Sequence, residues 1–507
     1  METSRSNRAP RLLIANRGEI AVRIIRACRD LGISPVAVYS EADRGALHVR
    51  LSDYAVAIGP PPARESYLVP ERILAAAKST GATMVHPGFG FLSENAEFAR
   101  KVGEAGLTWV GPAPAAIKAM GSKTESRQRM IAAGVPVVPG MTTPAETAEE
   151  IAAFGRTNGF PLLLKAAAGG GGKGMRVVRA ESEVAEAFAR TRSEAKSYFA
   201  DERVYAELLV EGARHIEVQI LGDATGRVIA LGERECSLQR RHQKVLEECP
   251  SAAVSPELRA RMEAVAVAAG QAVKYVSAGT VEFLLAKDGR FFFLEMNTRI
   301  QVEHPVTEMV YGVDLVVEMI RIARGEPMSV KEKPTPRGHA IQCRIYAEDP
   351  AHGFAPSPGR IRRLRRPQGP GIRVDSGVED GDVVPLDYDP MVAKFVVWGQ
   401  DRDEAFRRMR RALGEARVEG IETSIPFFLA LLEDPDVVAN RVSTQFLDDW
   451  KYEPRRPTED VVAASVIAAA LASMEEAKKR RPGSAAVPGG AGLSSWRNAR
   501  ACFGVRE

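Results

Sequence analysis

The chain has 507 residues, of which 45% are hydrophobic and 26% charged, an ordinary composition for a soluble enzyme. Lys and Arg together number 69 and Asp and Glu 65, and a net charge of +4 is too small an excess for a dedicated nucleic-acid binder. At about 100–200 residues per domain, this length predicts about three domains.

The cysteines and the apolar runs indicate the cellular setting. The five cysteines are scattered and lack CxxC spacing, which favours reduced thiols over a disulfide framework or a zinc site. No apolar run reaches the about 18 residues that a membrane span needs. Residues 1–11 are polar and basic, without the apolar core of a secretory signal. We therefore expect a cytoplasmic protein with no membrane partner.

The first part of the chain alternates between short apolar runs and helical patterns. In order, the predicted elements are strand Arg11–Asn16, a helix after Gly18, strands Pro35–Tyr39 and Tyr54–Ile58, helix Glu71–Lys78, strand Met84–His86, helix Glu97–Ala105 and strand Thr108–Val110. Such alternation is typical of an α/β domain with a parallel sheet. We place this domain over residues 8–120.

Strands dominate the second and third predicted domains, over residues 121–338 and 339–452. The second contains helix Lys123–Ala133, then a compact segment over 137–210 with strands Leu162–Ala166, Met175–Arg179 and Val204–Leu209 and a helix from Glu181, then strands His215–Leu221, Val228–Leu231, Gly279–Leu285 and Arg290–Asn297. The third contains strand Ala340–Ile345, a basic strand over 360–366 and helix Asp403–Leu413. Residues 453–507, with an alanine-rich helix Glu459–Lys478 and a Pro/Gly/Ala stretch, are predicted to be a linker or tail.

Polar side chains alternate along one extended segment. They are Glu295, Asn297, Arg299, Gln301 and Glu303. In an extended backbone, alternate residues point to the same side. Because so much desolvated charge is costly without a partner, this segment predicts a binding site.

A hairpin places a second carboxylate beside this segment. Asp288-Gly289 predicts a two-residue turn, which sets Glu282 directly opposite Glu295 with Cβ atoms about 4.5–5.5 Å apart. The two charges repel unless one is protonated or a cation lies between them, and such oxygen ligands suit Mg²⁺ with phosphate. In this register Leu284 and Phe293 share the carboxylate face, and the opposite face is apolar core: Val281, Phe283, Leu285, Phe292, Leu294 and Met296. An acidic pair on a solvated sheet edge is the alternative.

A glycine-rich loop follows Lys165 and runs from Gly169 to Gly174 between two predicted strands. Consecutive glycines let backbone N–H groups approach an anion closely. The loop is not a Walker motif, because Ala167 and Gly174 stand where Gly and Ser or Thr are required. The arrangement predicts a flap over phosphates, with Lys165 reaching a phosphate oxygen; a flexible surface loop is the alternative.

A cationic stretch, Arg240-Arg-His242-Gln-Lys244, follows the strand Val228–Leu231 at some distance. By itself it would be a solvated loop. Beside an anion site it becomes an electropositive wall.

Together these motifs resemble the biotin carboxylase family of ATP-grasp enzymes over residues 8–450. The matching segments are Ala15–Ala21, His86–Asn95, Lys165 with its glycine flap, Arg240–Lys244, Glu295–Glu308 and Cys343–Asp349. The run Glu295–Glu308 is highly specific to biotin-dependent carboxylases. The resemblance implies an ATP-grasp fold with a Rossmann-like N-terminal domain, a mobile glycine-rich lid subdomain and a C-terminal biotin carboxylase domain. Phe89 departs from the Tyr that many relatives carry.

The resemblance also implies roles for individual residues. It assigns ATP binding to Lys123, Lys165, Gly169, Gly170, Gly171, Gly172, Gly174, Met175, Glu207, Leu209, His215, Gln239, His242 and Leu284, and Mg²⁺ or Mn²⁺ binding to Glu282, Glu295 and Asn297. Bicarbonate and biotin are assigned to Lys244, Arg299, Gln301, the Val302 backbone, Glu303 and Arg344. Of these, Glu303 is implied to be the base that deprotonates bicarbonate, and Arg344 the cation that stabilises the biotin enolate.

The implied reaction is the ATP-dependent carboxylation of biotin by bicarbonate. A carboxylate takes the proton of bicarbonate as it attacks the γ-phosphate, and the carboxyphosphate product is unstable in water, so a lid has a purpose. Carboxyphosphate breaks down to CO₂ and phosphate, which removes the ureido proton of biotin before N1′ attacks CO₂.

The implied partners follow from what this sequence lacks. No methionine is followed by lysine, so the biotinyl-lysine motif is absent and biotin is expected on a separate carrier protein. The resemblance also implies a homodimer and separate carboxyltransferase subunits. Together they would form an acetyl-CoA, other acyl-CoA or pyruvate carboxylase, and the first of these would act in fatty acid biosynthesis.

Two alternatives stay open. Another ATP-grasp carboxylating ligase would share the flap and the metal carboxylates but not the set Arg299, Gln301 and Glu303. An inactive nucleotide-binding protein would be expected to have lost Glu303, Lys244 or a metal carboxylate, and this sequence retains them.

Overall fold

The computed structural model describes residues 9–167, 174–199, 201–454 and 459–480. One compact unit extends to Glu453. A second unit begins at Pro454, and its described part is a helix over Glu459–Arg480. None of the described helices is both long enough and apolar enough to cross a bilayer.

The N-terminal sheet has five parallel strands in the order β3-β2-β1-β4-β5. Its strands are β1 (Arg11–Ile14), β2 (Ser34–Ser40), β3 (Tyr54–Gly59), β4 (Met84–His86) and β5 (Thr108–Trp109). The helices of this part are α1 (Gly18–Asp30), α2 (Leu47–Leu51), α3 (Pro70–Thr80), α4 (Ala96–Glu104) and α5 (Pro114–Gly121). The apolar run Leu12–Ile14 is fully buried, as a central parallel strand requires. The predicted parallel sheet is confirmed.

A small antiparallel sheet follows, in the order β7-β6-β8. Its elements and the helices around it are α6 (Lys123–Ala132), α7 (Ala148–Asn158), β6 (Leu162–Ala166), β7 (Met175–Val178), α8 (Val184–Phe199) and β8 (Val204–Leu208). Ser122 caps α6 by accepting the amide of Glu125, so the helix begins at Lys123. Lys123 is thus the first residue of α6, and Lys165 lies near the end of β6.

The remaining strands and helices build the largest sheet and its cover. The strands are β9 (Arg214–Gly222), β10 (Val228–Arg240), β11 (Gln243–Cys249), β12 (Ser277–Leu285), β13 (Phe291–Asn297), β14 (His339–Tyr346), β15 (Glu348–Asp349), β16 (Ala355–Pro356), β17 (Gly359–Arg360), β18 (Arg363–Arg365), β19 (Ile372–Ser376), β20 (Val383–Val384), β21 (Met391–Gly399) and β22 (Arg417–Glu419). The helices are α9 (Pro256–Ala272), α10 (His304–Tyr311), α11 (Leu315–Ala323), α12 (Arg402–Glu415), α13 (Ile425–Leu431), α14 (Pro435–Val438) and α15 (Phe446–Asp449).

Eight of these strands form one antiparallel sheet, in the order β13-β12-β9-β10-β11-β14-β21-β19. Its register lines up polar residues across neighbouring strands. Glu282 pairs with Glu295 on one side and with Glu217 on the other, and Glu217 pairs with Arg234. Paired residues on neighbouring strands point to the same face, so the sheet itself concentrates these charges.

The predicted basic strand over 360–366 is wrong as a single strand. The chain pairs with β20 through β17 and with β22 through β18. Between them Ile361 donates its amide to Asp382 O, whereas Arg362 donates its amide to Glu419 O. Because the backbone changes partner at this point, one continuous strand is replaced by two short ones.

The hairpin between β12 and β13 corrects the predicted turn. Ala286 donates its amide to Arg290 O, so the turn contains three residues, with Gly289 at φ +82°. A bulge then inserts one extra residue of β13 between the pairs Glu282–Glu295 and Phe283–Phe293. The two shifts cancel, so the predicted pairing of Glu282 with Glu295 is confirmed.

The same bulge changes the surroundings of two side chains that the sequence had assigned to opposite faces. Phe293 joins the apolar cluster of Val281 and Phe283 and also borders the cavity described below, and Leu294 lines that cavity as well. The predicted placement of Leu294 in the core is therefore wrong.

Strands β10 and β11 form a hairpin that the sequence did not predict. Arg241 and His242 form its two-residue turn, and both have positive φ, +51° and +65°. Such a turn matches the twist of two antiparallel strands. It carries His242 and Lys244 to the edge of the cavity.

Candidate active site

A cavity of about 440 Å³ lies over the polar rows of the large sheet. Most of the residues that the sequence assigned to a site meet there. Those that line it are Lys123, Lys165, Met175, Glu207, His215, Gln239, His242, Lys244, Glu282, Glu295, Asn297, Arg299, Gln301, Val302, Glu303 and Arg344.

Lys244 is the centre of a cluster of carboxylates. Its Nζ lies 2.8 Å from Glu282 Oε1 and 2.8 Å from Glu303 Oε1, and it also donates to Glu217 Oε2. Burial alone would lower the pKa of this ammonium, but the three carboxylates raise it well above the usual value. Lys244 is therefore a fixed positive charge at neutral pH.

Glu303 is buried between two cations. Its side chain is 3% exposed, with Arg344 Nη2 at 3.1 Å from Oε2 and Lys244 at the other oxygen, Oε1. Burial favours the protonated form, but Lys244, Arg344 and Arg234 outweigh it and hold the pKa of Glu303 well below the usual range. The carboxylate is ionised and can accept a proton. Glu303 also stands at the N-terminus of α10, whose dipole favours its charge.

Arg234 holds several residues of this cluster in place from its buried position in the sheet. The sequence did not predict a role for it. Its guanidinium is fully buried, with Nε 2.5 Å from Glu217 Oε1. It also donates to Gln219 at 2.7 Å, to Thr280 and Thr307, and to Gln301 Oε1 at 2.5 Å. The only signal in the sequence was the alternation of Glu217 and Gln219 along β9. That pattern does not point to Arg234, because Arg234 lies on a different strand, β10.

Glu282 and Glu295 have opposite protonation tendencies. For Glu282, Lys244 and His215, whose Nε2 lies 3.0 Å from Oε2, outweigh burial and hold the pKa well below the usual value. For Glu295, burial and the charge of Glu282 raise the pKa. Its side chain nevertheless faces open space in the cavity. A cation beside Glu295 would oppose both effects and favour its ionised form.

The donor set fits a hard divalent cation. Glu282 and Glu295 offer carboxylate oxygens from paired positions, and Asn297 is adjacent, donating to Glu282 Oε1 at 2.7 Å. Carboxylate and amide oxygens are the ligands that Mg²⁺ takes, with phosphate oxygens completing its shell.

Arg299 is held by a residue from the segment between β4 and α4. Its Nε lies 2.9 Å from Glu94 Oε2, and its Nη2 donates to Asn297 Oδ1 at 2.7 Å. Gln301 Nε2 donates to Glu282 Oε1 at 2.8 Å. The predicted alternating segment thus folds into two parts, with Glu295 and Asn297 in β13 and Arg299 to Glu303 in the loop before α10.

The other end of the cavity is built around Glu207. Its carboxylate lies 2.5 Å from Lys165 Nζ and 3.0 Å from Arg127 Nη1. Among the described residues, Lys123 forms no ion pair with a carboxylate. Burial and the neighbouring charge of Lys165 lower the pKa of Lys123. Two lysines at this end suit a polyanion that supplies the missing negative charge.

Three predicted ATP-binding residues lie outside the lining of this cavity, and four more fall outside the described residues. Leu209 donates its amide to Pro161 O and lies outside the cavity lining. Leu284 also lies outside the lining, next to His215 in register. Gly174 ends the loop before β7 with φ +68°. Gly169, Gly170, Gly171 and Gly172 lie outside the described residues.

A second cavity, of about 540 Å³, adjoins the first. The two share Arg299, Val302 and Arg344 in their linings. Phe89 lines only the second cavity, together with Tyr388. Arg344 therefore faces both spaces.

Three family models match almost the whole of the first compact unit. They are described as "Biotin carboxylase, N-terminal domain" over residues 8–117, "Carbamoyl-phosphate synthase L chain, ATP binding domain" over 122–331 and "Biotin carboxylase C-terminal domain" over 342–449. A biotin carboxylase of Nostoc sp. is 50% identical over 87% of this chain and 98% of its own length.

The chain belongs to the biotin carboxylase family. It is an ATP-dependent carboxylase with the ATP-grasp fold, as the sequence resemblance implied.

Two further relatives extend this similarity. A pyruvate carboxylase subunit of Methanothermobacter thermautotrophicus is 49% identical over 87% of this chain and 90% of its own length. The biotin carboxylase domain of the 2-oxoglutarate carboxylase of Hydrogenobacter thermophilus, solved as a dimer with MgADP, ADP and bicarbonate, is 44% identical. It superposes with a TM-score of 0.82 over 87% of this chain and 97% of that one.

Proposed function

We propose that this biotin carboxylase transfers the carboxyl group of bicarbonate to biotin carried on a separate carrier protein, with ATP cleaved to ADP and phosphate. The observation that carries the proposal is Glu303, an ionised carboxylate that lines the first cavity and is buried between Lys244 and Arg344, the second of which lines both cavities. The two cations keep Glu303 ionised, so that it can accept a proton, and they attract the bicarbonate anion to it.

Bicarbonate is proposed to bind between Lys244, Arg299, Gln301 and the Val302 backbone. The guanidinium of Arg299 has five N–H donors, more than its bonds to Glu94 and Asn297 use, and it can clamp a planar anion through two of them. Glu303 takes the proton as a bicarbonate oxygen attacks the γ-phosphorus and ADP leaves. Once anionic substrates face Lys244 and Arg344, the excess positive charge around Glu303 is balanced and its basicity rises.

ATP is proposed to occupy the end of the cavity nearest Glu207. Lys123, Lys165 and His242 would face its phosphates, with the loop Gly169–Gly174 above, and Met175, His215 and Gln239 would line its path. Glu282, Glu295 and Asn297 would hold Mg²⁺, which neutralises phosphate charge when bound. Leu294, which lines this cavity, is added to the contacts of the nucleotide.

Biotin is proposed to approach through the second cavity, past Phe89 and Tyr388, until its ureido oxygen meets Arg344. The carboxyphosphate splits into CO₂ and phosphate, the phosphate takes the N1′ proton, and N1′ bonds to the carbon of CO₂. Arg344 stabilises the negative oxygen of the enolate.

The domain and assembly proposals follow the family matches. We propose an N-terminal domain over 8–120, an ATP-grasp domain over 121–338 with its lid over 137–210, a C-terminal domain over 339–452 and a tail over 453–507. We propose that the chain acts in the cytoplasm as a homodimer, together with a carrier protein and a carboxyltransferase. The transferase selects the final acceptor, so the half-reaction is the same in an acyl-CoA or a pyruvate carboxylase.

The test is ATP cleavage by the purified chain in the presence of Mg²⁺. We expect cleavage to require bicarbonate and to be stimulated by free biotin. ATP turnover that is indifferent to both compounds would contradict the proposal and favour another ATP-grasp ligase.

A further inference from the structure

Lys394 is a fully buried lysine outside the lining of both cavities. It lies on β21, directly opposite Arg344 on β14 and Asp375 on β19. A buried ammonium is costly unless it is paired and hydrogen-bonded. Its partners therefore indicate why it is there.

Those partners come from three parts of the chain. Lys394 Nζ lies 3.1 Å from Glu19 Oε2 on α1 and 3.8 Å from Asp375 Oδ2. It also donates to the backbone carbonyl of Val302 at 3.0 Å. Neither carboxylate oxygen of Glu19 makes a hydrogen bond within the described residues, so the ion pair with Lys394 is the contact that balances its charge.

Lys394 and Arg344 contact consecutive residues of the loop 299–303 before α10, here called the bicarbonate loop. As a cross-strand pair, the two side chains point to the same face of the sheet. Arg344 holds the carboxylate of Glu303, and Lys394 holds the carbonyl of Val302. The base and the peptide next to it are thus fixed from one pair of strands.

The preceding carbonyl is fixed as well. His304 Nδ1 donates to Gln301 O at 2.7 Å, since a carbonyl can only accept. Burial, with Lys394 adding to it, holds the pKa of His304 well below its usual value, so the ring is neutral. Because a peptide unit is planar, a fixed Gln301 carbonyl fixes the opposite direction of the Val302 N–H.

We propose that Lys394 is a positioning residue for bicarbonate, which orients the peptide between Val302 and Glu303, and with it the backbone that carries the Glu303 side chain, without touching the substrate. The inference rests on the proposed function, because it assigns a task to the bicarbonate loop. It joins α1 of the N-terminal sheet to that loop through a single ammonium group.

The test compares Lys394→Met with wild type in bicarbonate-dependent ATP cleavage. Met keeps much of the side-chain length and removes the donor and the charge. We expect the KM for bicarbonate to rise at least tenfold and kcat to fall at least tenfold. The Kd for MgATP, measured separately by calorimetry, is expected to stay within twofold of wild type.

A second variant separates positioning from stability. Lys394→Met combined with Glu19→Gln removes both members of the ion pair, so no orphaned Glu19 charge remains. We expect its Tm to return toward wild type while the bicarbonate defect persists. Wild-type kinetics in this double variant, or failure of both variants to fold, would overturn the positioning role and leave Lys394 as a structural residue.

Lys333→Met is the matched control. Lys333 also pairs with a carboxylate, Glu263, but is 40% exposed and lies outside both cavities. We expect no change in either KM. If wild type itself cleaves ATP without bicarbonate, the proposed function fails; if wild type requires bicarbonate and Lys394→Met keeps a normal bicarbonate KM, only this inference fails.

Discussion

The two ends of the active-site cavity differ in how their charges are satisfied. At the bicarbonate end, Glu303 and Lys244 each have oppositely charged partners within the chain. At the nucleotide end, burial lowers the pKa of Lys123 and raises that of Glu295, so both groups are less readily charged than usual. On the proposed function, one end is preorganised by the protein, whereas the other would be completed by MgATP.

The largest effect is expected at the preorganised end. Glu303→Gln removes the proton acceptor but keeps the shape, and loss of a general base costs about 10²–10⁴-fold in rate. We expect kcat for bicarbonate-dependent ATP cleavage to fall by that range, while the Kd for MgATP stays near wild type. A rate near wild type would show that Glu303 is not the base.

Arg234→Met tests whether the buried charges depend on one another. Removing one member of a buried ion pair costs about 3–5 kcal/mol, because Glu217 would keep an uncompensated charge. We expect a loss of this size in the free energy of unfolding in urea. Arg129→Met, at an exposed pair with Glu125, is the control and should change it by less than about 1 kcal/mol. Equal losses in the two variants would contradict preorganisation.

Glu295 provides a pH test of the nucleotide end. Its pKa is raised, so protons compete with a cation there at higher pH than at an ordinary carboxylate. The affinity for Mg²⁺ should therefore fall as pH is lowered through the raised pKa of Glu295. By the same linkage, the empty site contributes stability below that pKa and loses it as pH rises.

The measurement is the Mg²⁺ concentration for half-maximal turnover between pH 5 and 8. Glu295→Gln should raise this concentration about tenfold at pH 8 and flatten its pH dependence, as expected for the loss of about 1.4 kcal/mol of binding free energy. An unchanged profile would mean that Glu295 does not face the metal.

The smallest effect tests the bulge in β13. Leu294 lines the cavity and Leu284 does not. Leu294→Ala should raise the KM for ATP about fivefold, equivalent to about 1 kcal/mol of lost apolar contact. Leu284→Ala should change the KM for ATP by less than twofold. A larger change for Leu284→Ala than for Leu294→Ala would contradict the bulge and support the register first predicted from the sequence.

The sequence allowed the local parts of this site to be predicted. Alternation in Glu295–Glu303 and the Asp288-Gly289 turn located the carboxylate pair, although the turn has one more residue than predicted and the bulge restores the register. An alternating pattern does not reveal these two local errors. Each one-residue shift exchanges the two faces of the strand, and the second shift reverses the effect of the first.

The contacts that set protonation states could not be predicted in the same way. Arg299 meets Glu94 across 205 residues of sequence, and Arg344 meets Glu247 across 97. Such pairs depend on the order of strands in the large sheet and on the N-terminal sheet lying against the bicarbonate loop. Motif resemblance supplied roles for Arg299 and Arg344 but not for Glu94, Glu217, Arg234 or Glu247.

The most direct test of the proposed chemistry follows the oxygen atoms of bicarbonate. If a bicarbonate oxygen attacks the γ-phosphorus, it stays on phosphorus when carboxyphosphate splits at its C–O bond. With ¹⁸O-labelled bicarbonate in unlabelled water, mass spectrometry of the released phosphate should find one ¹⁸O per phosphate. Phosphate that takes its new oxygen from water would contradict the central claim.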